Sequence, residues 1–291
     1  MRYKGPIYRP PSEADSLLIQ ATAGCPHNKC TFCTVYKKGP RYSVRPVFEI
    51  VADLREASRI YGDCFRSIFF PAGNSIAMPA EELAEVLRRA RELFPSLQRM
   101  TVYGSAKYIL EKGEAGLEQL ARAGLARVHV GLESGDDEVL ADVRKGCDSR
   151  QQIRAGRMLR GAGIENSAYV MLGIGGKGRS REHALNTAEA VNAIQPDFVR
   201  LRTFVPKVNT PLLKKVEQGR FAMLGPHEVL REARLFLGNL DASTWISSDH
   251  YSNYVNLQGL MPRDRQALLD RIDACLELDA SRFRPFFVGR E

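Results

Sequence analysis

Short, continuous apolar runs alternate along the chain with longer segments in which apolar residues return every three or four positions. The first pattern is that of a buried parallel strand and the second that of an amphipathic helix. Residues 16–22 read as a strand. Residues 45–61 read as a helix, with Pro46 near its start and Val47, Ile50, Leu54 and Ala57 on one face. Residues 65–70 form an apolar run that ends at Pro-Ala-Gly-Asn, as a buried strand would. Residues 79–93 follow as a helix with the stripe Leu83, Val86, Leu87 and Ala90. The alternation continues with a strand over 99–104 and a helix whose main part is 116–123, closed by Gly124. A strand over 126–132 leads to helices over 136–143 and 151–159. A strand over 164–172 leads to a helix over 181–194, and the sixth strand lies within 196–204.

Six strands alternating with helices predict a parallel sheet joined by right-handed crossovers. Six units fall short of the eight of a closed barrel. The expected fold class is therefore α/β, a partial (β/α)6 TIM-like barrel. Residues 205–291 read as a mainly helical tail interrupted by the apolar segment 243–248, which predicts a core of residues 1–211 and an extension, 212–291, packed on the barrel. No linker or low-complexity tract divides the chain.

At 291 residues the chain is long for one ordinary core but usual for an α/β barrel. No apolar run reaches the roughly 18 residues that span a bilayer, and the opening Met-Arg-Tyr-Lys-Gly-Pro lacks the apolar stretch of a signal peptide. The expected setting is cytoplasmic and reducing, where cysteines more often bind metal or act in catalysis than pair. The net charge of +8 suits either a solvated surface or a basic rim for an anion. No Lys/Arg block with interleaved aromatics is present, so nucleic acid is the weaker partner class.

The candidate chemistry lies just after the first strand. Cys25, Cys30 and Cys33 fall within nine positions, in the pattern Cys-x4-Cys-x2-Cys, while Cys64, Cys147 and Cys275 are scattered and expected to be buried. Three thiolates on one loop lack the fourth that would close a tetrahedral zinc site or a ferredoxin cluster, so one iron of a [4Fe–4S] cluster would stay open. A zinc knuckle using His27 would crowd two ligands into one turn, and a disulfide plus a spare thiol needs an oxidising compartment.

The stretch from Cys25 to Cys33 resembles the radical S-adenosylmethionine (SAM) enzymes, in which three cysteines hold a [4Fe–4S] cluster that SAM chelates. The spacing has one residue more than the commonest family pattern, and Phe32 matches the family aromatic that packs beside the adenine. The resemblance implies an open partial barrel and the cofactors [4Fe–4S] and SAM. Metal ligands would be Cys25, Cys30 and Cys33, and an external one-electron reductant of flavodoxin or ferredoxin type would be a partner. At the second strand's end, Gly73, Asn74 and Ser75 match the position of the motif that holds the SAM amino group, with Asn74 offering a neutral carbonyl. The run from Val128 to Gly146 resembles the subgroup of anaerobic coproporphyrinogen dehydrogenases, methylthiotransferases and B12-dependent radical enzymes. That likeness implies Glu133 at the SAM ribose and Lys145 at its carboxylate. Tyr169 with the glycine turn after it, and the loop from Pro206 to Pro211 with Asn209 in place of glycine, are similar to the same relatives, which implies Tyr169 as a further cofactor contact.

Other strand-end residues are read from their chemistry. Ser105 is either a hydroxyl facing the cofactor or a helix cap. Arg200 and Arg202 share one face of the sixth strand and point to a carboxylate or phosphate, with a structural ion pair to Glu133 or Asp197 as the alternative. His250 is a candidate proton donor or acceptor, with Asp249 setting its tautomer, if the apolar segment 243–248 lies beside the sixth strand; a capped helix start is the alternative.

The expected activity is reductive SAM cleavage to a 5′-deoxyadenosyl radical that abstracts hydrogen from an anionic substrate. A tRNA-modifying radical enzyme, or an iron–sulfur redox protein that leaves SAM intact, are the other classes. The absence of a second cysteine cluster and of a cobalamin domain argues against methylthiolation and B12-dependent methylation.

Overall fold

The structure, a computed structural model, describes residues 1–289, so the last two residues of the expected extension lie outside the described residues. Two compact units divide the chain: Met1–Asn28, Val35–Val130 and Arg157–Asn166 form one, while Lys29–Thr34, Gly131–Gly156 and the chain from Ser167 onward form the other. The architecture is α/β, with a mostly parallel eight-strand sheet flanked by helices.

The first unit opens with β1 (Leu17–Leu18), β2 (Thr22–Ala23) and β3 (Ser43–Val44), followed by α1 (Val47–Tyr61), β4 (Ser67–Phe70), α2 (Ala80–Leu93), β5 (Arg99–Gly104), α3 (Ala106–Ala123) and the start of β6 (Leu125–Glu133). Strands β1, β4, β5 and β6 pair in parallel in that order. The expected first strand is two pieces: Leu17 and Leu18 join the sheet, whereas Thr22 and Ala23 pair antiparallel with Val44 and Ser43. That separate ribbon carries the chain out to the cysteines. Helix α1 buries Ile50, Leu54 and Ala57 of its predicted stripe, and α2 buries all four of its own. Phe69, Phe70 and Phe94 are fully buried, each contributing about 1.5–3 kcal/mol of apolar transfer energy.

In the second unit come α4 (Asp137–Asp142), α5 (Ser149–Gly161), β7 (Glu165–Leu172), α6 (Gly176–Ile194), β8 (Phe198–Thr203), α7 (Pro211–Glu217), α8 (Pro226–Gly238), β9 (Thr244–Ser247), β10 (Gln258–Met261) and α9 (Arg265–Leu276); α5 and β7 straddle the division. Strand β8 pairs in parallel with β7 and with β9, and β10 runs antiparallel to β9. The apolar segment of the tail is thus a seventh parallel strand, seated beside the sixth. It extends the sheet rather than merely interrupting helices. Val199, Leu201, Phe236, Leu237 and Ile246 share one core cluster in this unit.

One buried ion pair anchors the first unit. Glu13, with no exposed surface, lies 2.9 Å from His129 Nε2 and accepts from Ser16 Oγ at 2.6 Å and from Arg99 at 3.1 Å. Burial alone would raise its pKa, but the bonds from His129 and Ser16 and the charges of His129 and Arg99 hold it at about 2, against an ordinary 4.5. A carboxylate with a depressed folded-state pKa adds stability above its unfolded pKa, which is lost as pH falls toward 2; the shift corresponds to on the order of 3 kcal/mol. Denaturant midpoints measured from pH 4.5 down should therefore fall more steeply for wild type than for Glu13→Gln. Parallel profiles would contradict this role.

Candidate active site

Cys25 lies just after β2, in the connection to β3, and its surroundings in the first unit are set by glycines. Gly24 has φ +69°, and a Cβ there would lie 2.5 Å from the Pro40 carbonyl. A Cβ on Gly73 would lie 2.6 Å from Cys25 Cβ and 2.8 Å from the Tyr36 ring. Only a bare backbone fits, and Gly73 N–H donates to Gly24 O at 3.1 Å. The turn after β4 is thereby held against Cys25. Cys25 Sγ accepts from the Asn28 backbone N–H and from Asn74 Nδ2, each at 3.5 Å. Asn74 is 5% exposed, and its Oδ1 is buried with no hydrogen-bond partner. Ser75 behaves differently from its expected role: its hydroxyl is turned to the Phe70 and Pro71 carbonyls, closing the turn instead of facing a ligand. The Tyr42 hydroxyl, also buried and without a hydrogen-bond partner, is pushed up to about 12 by burial and by the negative charges of Cys25 and Glu82.

Cys30, Phe32 and Cys33 belong to the second unit. Thr31 N–H donates to Val143 O at 2.9 Å at the end of α4, and Leu212 N–H donates to Thr31 O at 3.1 Å at the start of α7. Phe32 packs against the cluster of Val139, Val143, Ile174, Phe204 and Leu212. Thr210 caps α7 by accepting from Leu213 N–H at 3.1 Å, and Asn209 has φ +62°. Asparagine tolerates that left-handed conformation.

Glu133 and Lys145, expected to meet different parts of SAM, meet each other: Nζ and Oε1 are 2.9 Å apart, with side chains 8% (Lys145) and 12% (Glu133) exposed. Lys145 is thus buried and paired rather than solvated. Burial pulls its pKa down, but the charges of Glu133, Cys30 and Cys147 outweigh this and hold it above the usual lysine range. Glu133 sits at φ +65°. A Cβ on Gly131 would lie 2.6 Å from Glu133 Oε1 and 2.8 Å from Lys145 Nζ, so this glycine makes room for the pair. Neither Gly131 nor Cys147 stood out in the sequence, because a glycine inside a strand and an isolated cysteine carry no distinctive pattern.

Ser105 occupies the cap position of α3, yet its side chain makes no cap hydrogen bond. The glycine turn after β7 is structural: Gly173 N–H donates to buried Glu232 at 2.6 Å, and Gly176, at φ +60°, leaves room for the Ala222 carbonyl. Arg200 and Arg202 alternate with buried Val199, Leu201 and Thr203 along β8. Arg200 Nε donates to Ser167 Oγ at 3.1 Å, and the Arg202 guanidinium lies 4.9 Å from the centre of the buried Tyr169 ring. These bring Tyr169 and the arginine pair together.

No helix starts at His250; the chain there forms a turn. His250 Nδ1 accepts from Ser252 N–H at 3.2 Å and lies 2.8 Å from Ser252 Oγ, which itself accepts from Thr203 N–H at 3.2 Å. An acceptor Nδ1 places the ring proton on Nε2, so Ser252, not the exposed Asp249, sets the tautomer. Burial, with Arg202 and Lys207 nearby, pushes the His250 pKa down to about 4 despite Asp249. At neutral pH the ring is uncharged, which removes an imidazolium as the proton donor. Of the scattered cysteines, Cys64 is exposed, against expectation, while Cys147 and Cys275 are part-buried.

Three comparisons bear on this arrangement. The Radical SAM superfamily profile matches residues 19–191. A protein of Methanocaldococcus jannaschii named as a methylthiotransferase is 23% identical over 278 residues, covering 88% of this chain and 60% of that protein. The threonylcarbamoyladenosine tRNA methylthiotransferase MtaB of Rickettsia prowazekii is 24% identical over 201 residues, covering 66% of this chain and 46% of its own. The chain therefore spans less than two thirds of the length of either curated relative. Among solved structures, methylornithine synthase (PylB) shares the fold with a TM-score of 0.55 at 16% identity, covering 92% of this chain and 84% of the other. The partial TIM-like fold is the one shared.

Proposed function

The chain belongs to the radical SAM superfamily, and from that premise we propose that its substrate is anionic and that Cys25, Cys30 and Cys33 are the cluster ligands. With a [4Fe–4S] cluster and SAM bound, such a site supplies a 5′-deoxyadenosyl radical by reductive cleavage, which would abstract hydrogen from that substrate. The observation that carries this reading is Asn74: a buried carbonyl oxygen without a partner, on a side chain whose amide already touches Cys25 Sγ. A hydrogen-bond donor is the partner such an acceptor needs, and the amino group of SAM carries N–H. Phe32 offers an aromatic face on an apolar cluster for the adenine, and the Glu133–Lys145 pair presents both charges that a ribose and a carboxylate would use. Arg200 and Arg202, with Lys207 near His250, supply the positive charge for an anionic substrate. Residues 1–211 would form the catalytic core and the remainder the substrate-facing extension, with a flavodoxin- or ferredoxin-type protein as electron donor. The test is spectroscopic. After anaerobic reconstitution and reduction, the EPR signal of the protein should change on adding SAM. A cluster signal unaffected by saturating SAM would contradict the reading and favour an electron carrier.

A second reading has one observation behind it. Arg150, Arg154, Arg157 and Arg160 are all exposed along α5, at a spacing that places them on one helix face. Such a stripe suits a phosphate backbone, and MtaB is named for a tRNA reaction. If tRNA is the substrate, retention of tRNA should fall steeply with salt, and Arg150→Glu with Arg154→Glu should abolish it. No retention by wild type at low salt would remove this alternative.

A further inference from the structure

The amide of Asn74 has two ends, and the structure uses only one of them. A cysteine sulfur ligating iron is an acceptor, so the group 3.5 Å from Cys25 Sγ is the NH2 end, which fixes Oδ1 at the opposite side. That oxygen is buried and unpartnered on a residue 5% exposed. A buried acceptor left unsatisfied is costly, so the position is built for a donor that arrives later. The surrounding backbone holds the amide in place. Gly73 is pinned between Cys25 and Tyr36, Ala72 adopts φ +99°, a strained value for a residue with a Cβ, and the Asn28 N–H donates to the same sulfur.

We infer that Asn74 couples the ligand amino group to the redox state of the cluster, an inference that rests on the reading of Cys25 as a cluster ligand and of SAM as the ligand. Hydrogen bonds to ligating sulfur stabilise the reduced, more negative cluster and raise its potential. An amino N–H donated to Oδ1 polarises the amide and strengthens its own N–H as a donor to sulfur. Ligand binding therefore makes the cluster easier to reduce, and by linkage the reduced cluster binds the ligand more tightly. A carboxylate at this position could still accept from the amino group but would have no N–H for the sulfur. Asparagine is the residue that serves both groups with one short side chain.

The test is an EPR-monitored redox titration of the reconstituted full chain, with and without SAM, in wild type, Asn74→Asp and Asn74→Gln. Iron content and calorimetric SAM binding are measured on the same samples. In the absence of SAM, Asn74→Asp should hold a full cluster but show a lower midpoint than wild type, because a donor has become a repelling charge. The upward shift produced by SAM should shrink in Asn74→Asp and recover at least in part in Asn74→Gln. Asn74→Asp with full iron, SAM binding and wild-type midpoints in both conditions would overturn the coupling while leaving the cofactor assignment intact. A wild-type protein that takes up no cluster, or binds no SAM, would overturn the cofactor assignment and this inference together.

Discussion

Replacing Cys30 with alanine should abolish cluster assembly, leaving iron, the visible iron–sulfur absorbance and SAM cleavage at background. The expectation follows from the ligand count. Three thiolates are the fewest that hold a four-iron cluster with one site open, and two cannot retain it against chelation. No other cysteine is suited to stand in. Cys64 is exposed and remote in sequence, and Cys275 packs beside the core of the second unit. Cys147 shares the Lys145 neighbourhood with Cys30, but burial pushes its thiol pKa up despite the nearby ammonium, and the thiol form is a poor ligand. Iron analysis and absorbance spectra check this directly. Cys30→Ala retaining wild-type iron would mean that the triplet is not the cluster site.

Lys145→Met should destabilise the protein by about 3–5 kcal/mol, the cost of leaving a buried charge without its partner. The stranded group would be Glu133, 12% exposed and fixed at φ +65°, with only a hydrogen from Gly131 between it and the backbone. Because the destabilisation comes from the orphaned carboxylate, Glu133→Gln in the same chain should recover most of it. Chemical denaturation of the two single variants and the double closes the cycle. A loss below about 1 kcal/mol for Lys145→Met would show that the pair is solvated. SAM binding by the double variant adds a second reading: it should remain weak after stability is regained, since the cation proposed for the SAM carboxylate is gone.

Periodicity carried much of the fold. Strand β5 has the predicted limits, and the buried stripe of α2 is the predicted one, because nothing in those segments competes with the simple pattern. Helix α3 was recognised only in its second half: Gly113, at φ +68°, breaks the helix and its hydrophobic phase, so the first half does not read as part of the same element. Helix α6 likewise begins earlier than its pattern, across a non-helical Arg179. The apolar segment 243–248 was visible, but its partner was not; four residues of strand without flanking alternation cannot announce which edge they join.

The candidate site divides along a similar line. Residue type and spacing single out the cysteines and the β8 arginines as candidates, and the family resemblance singles out Asn74. Orientation was not. Ser75 turning back to its own loop, Glu133 closing on Lys145 and Ser252 replacing Asp249 at His250 all depend on partners distant in sequence or on backbone direction within a turn. Among the described residues no helix is long and apolar enough to cross a membrane.

The most direct measurement is the formation of 5′-deoxyadenosine by the anaerobically reconstituted protein given dithionite and SAM. The account predicts product from wild type and none from Cys30→Ala. Wild type that holds a full cluster and binds SAM yet forms no more 5′-deoxyadenosine than Cys30→Ala would contradict it.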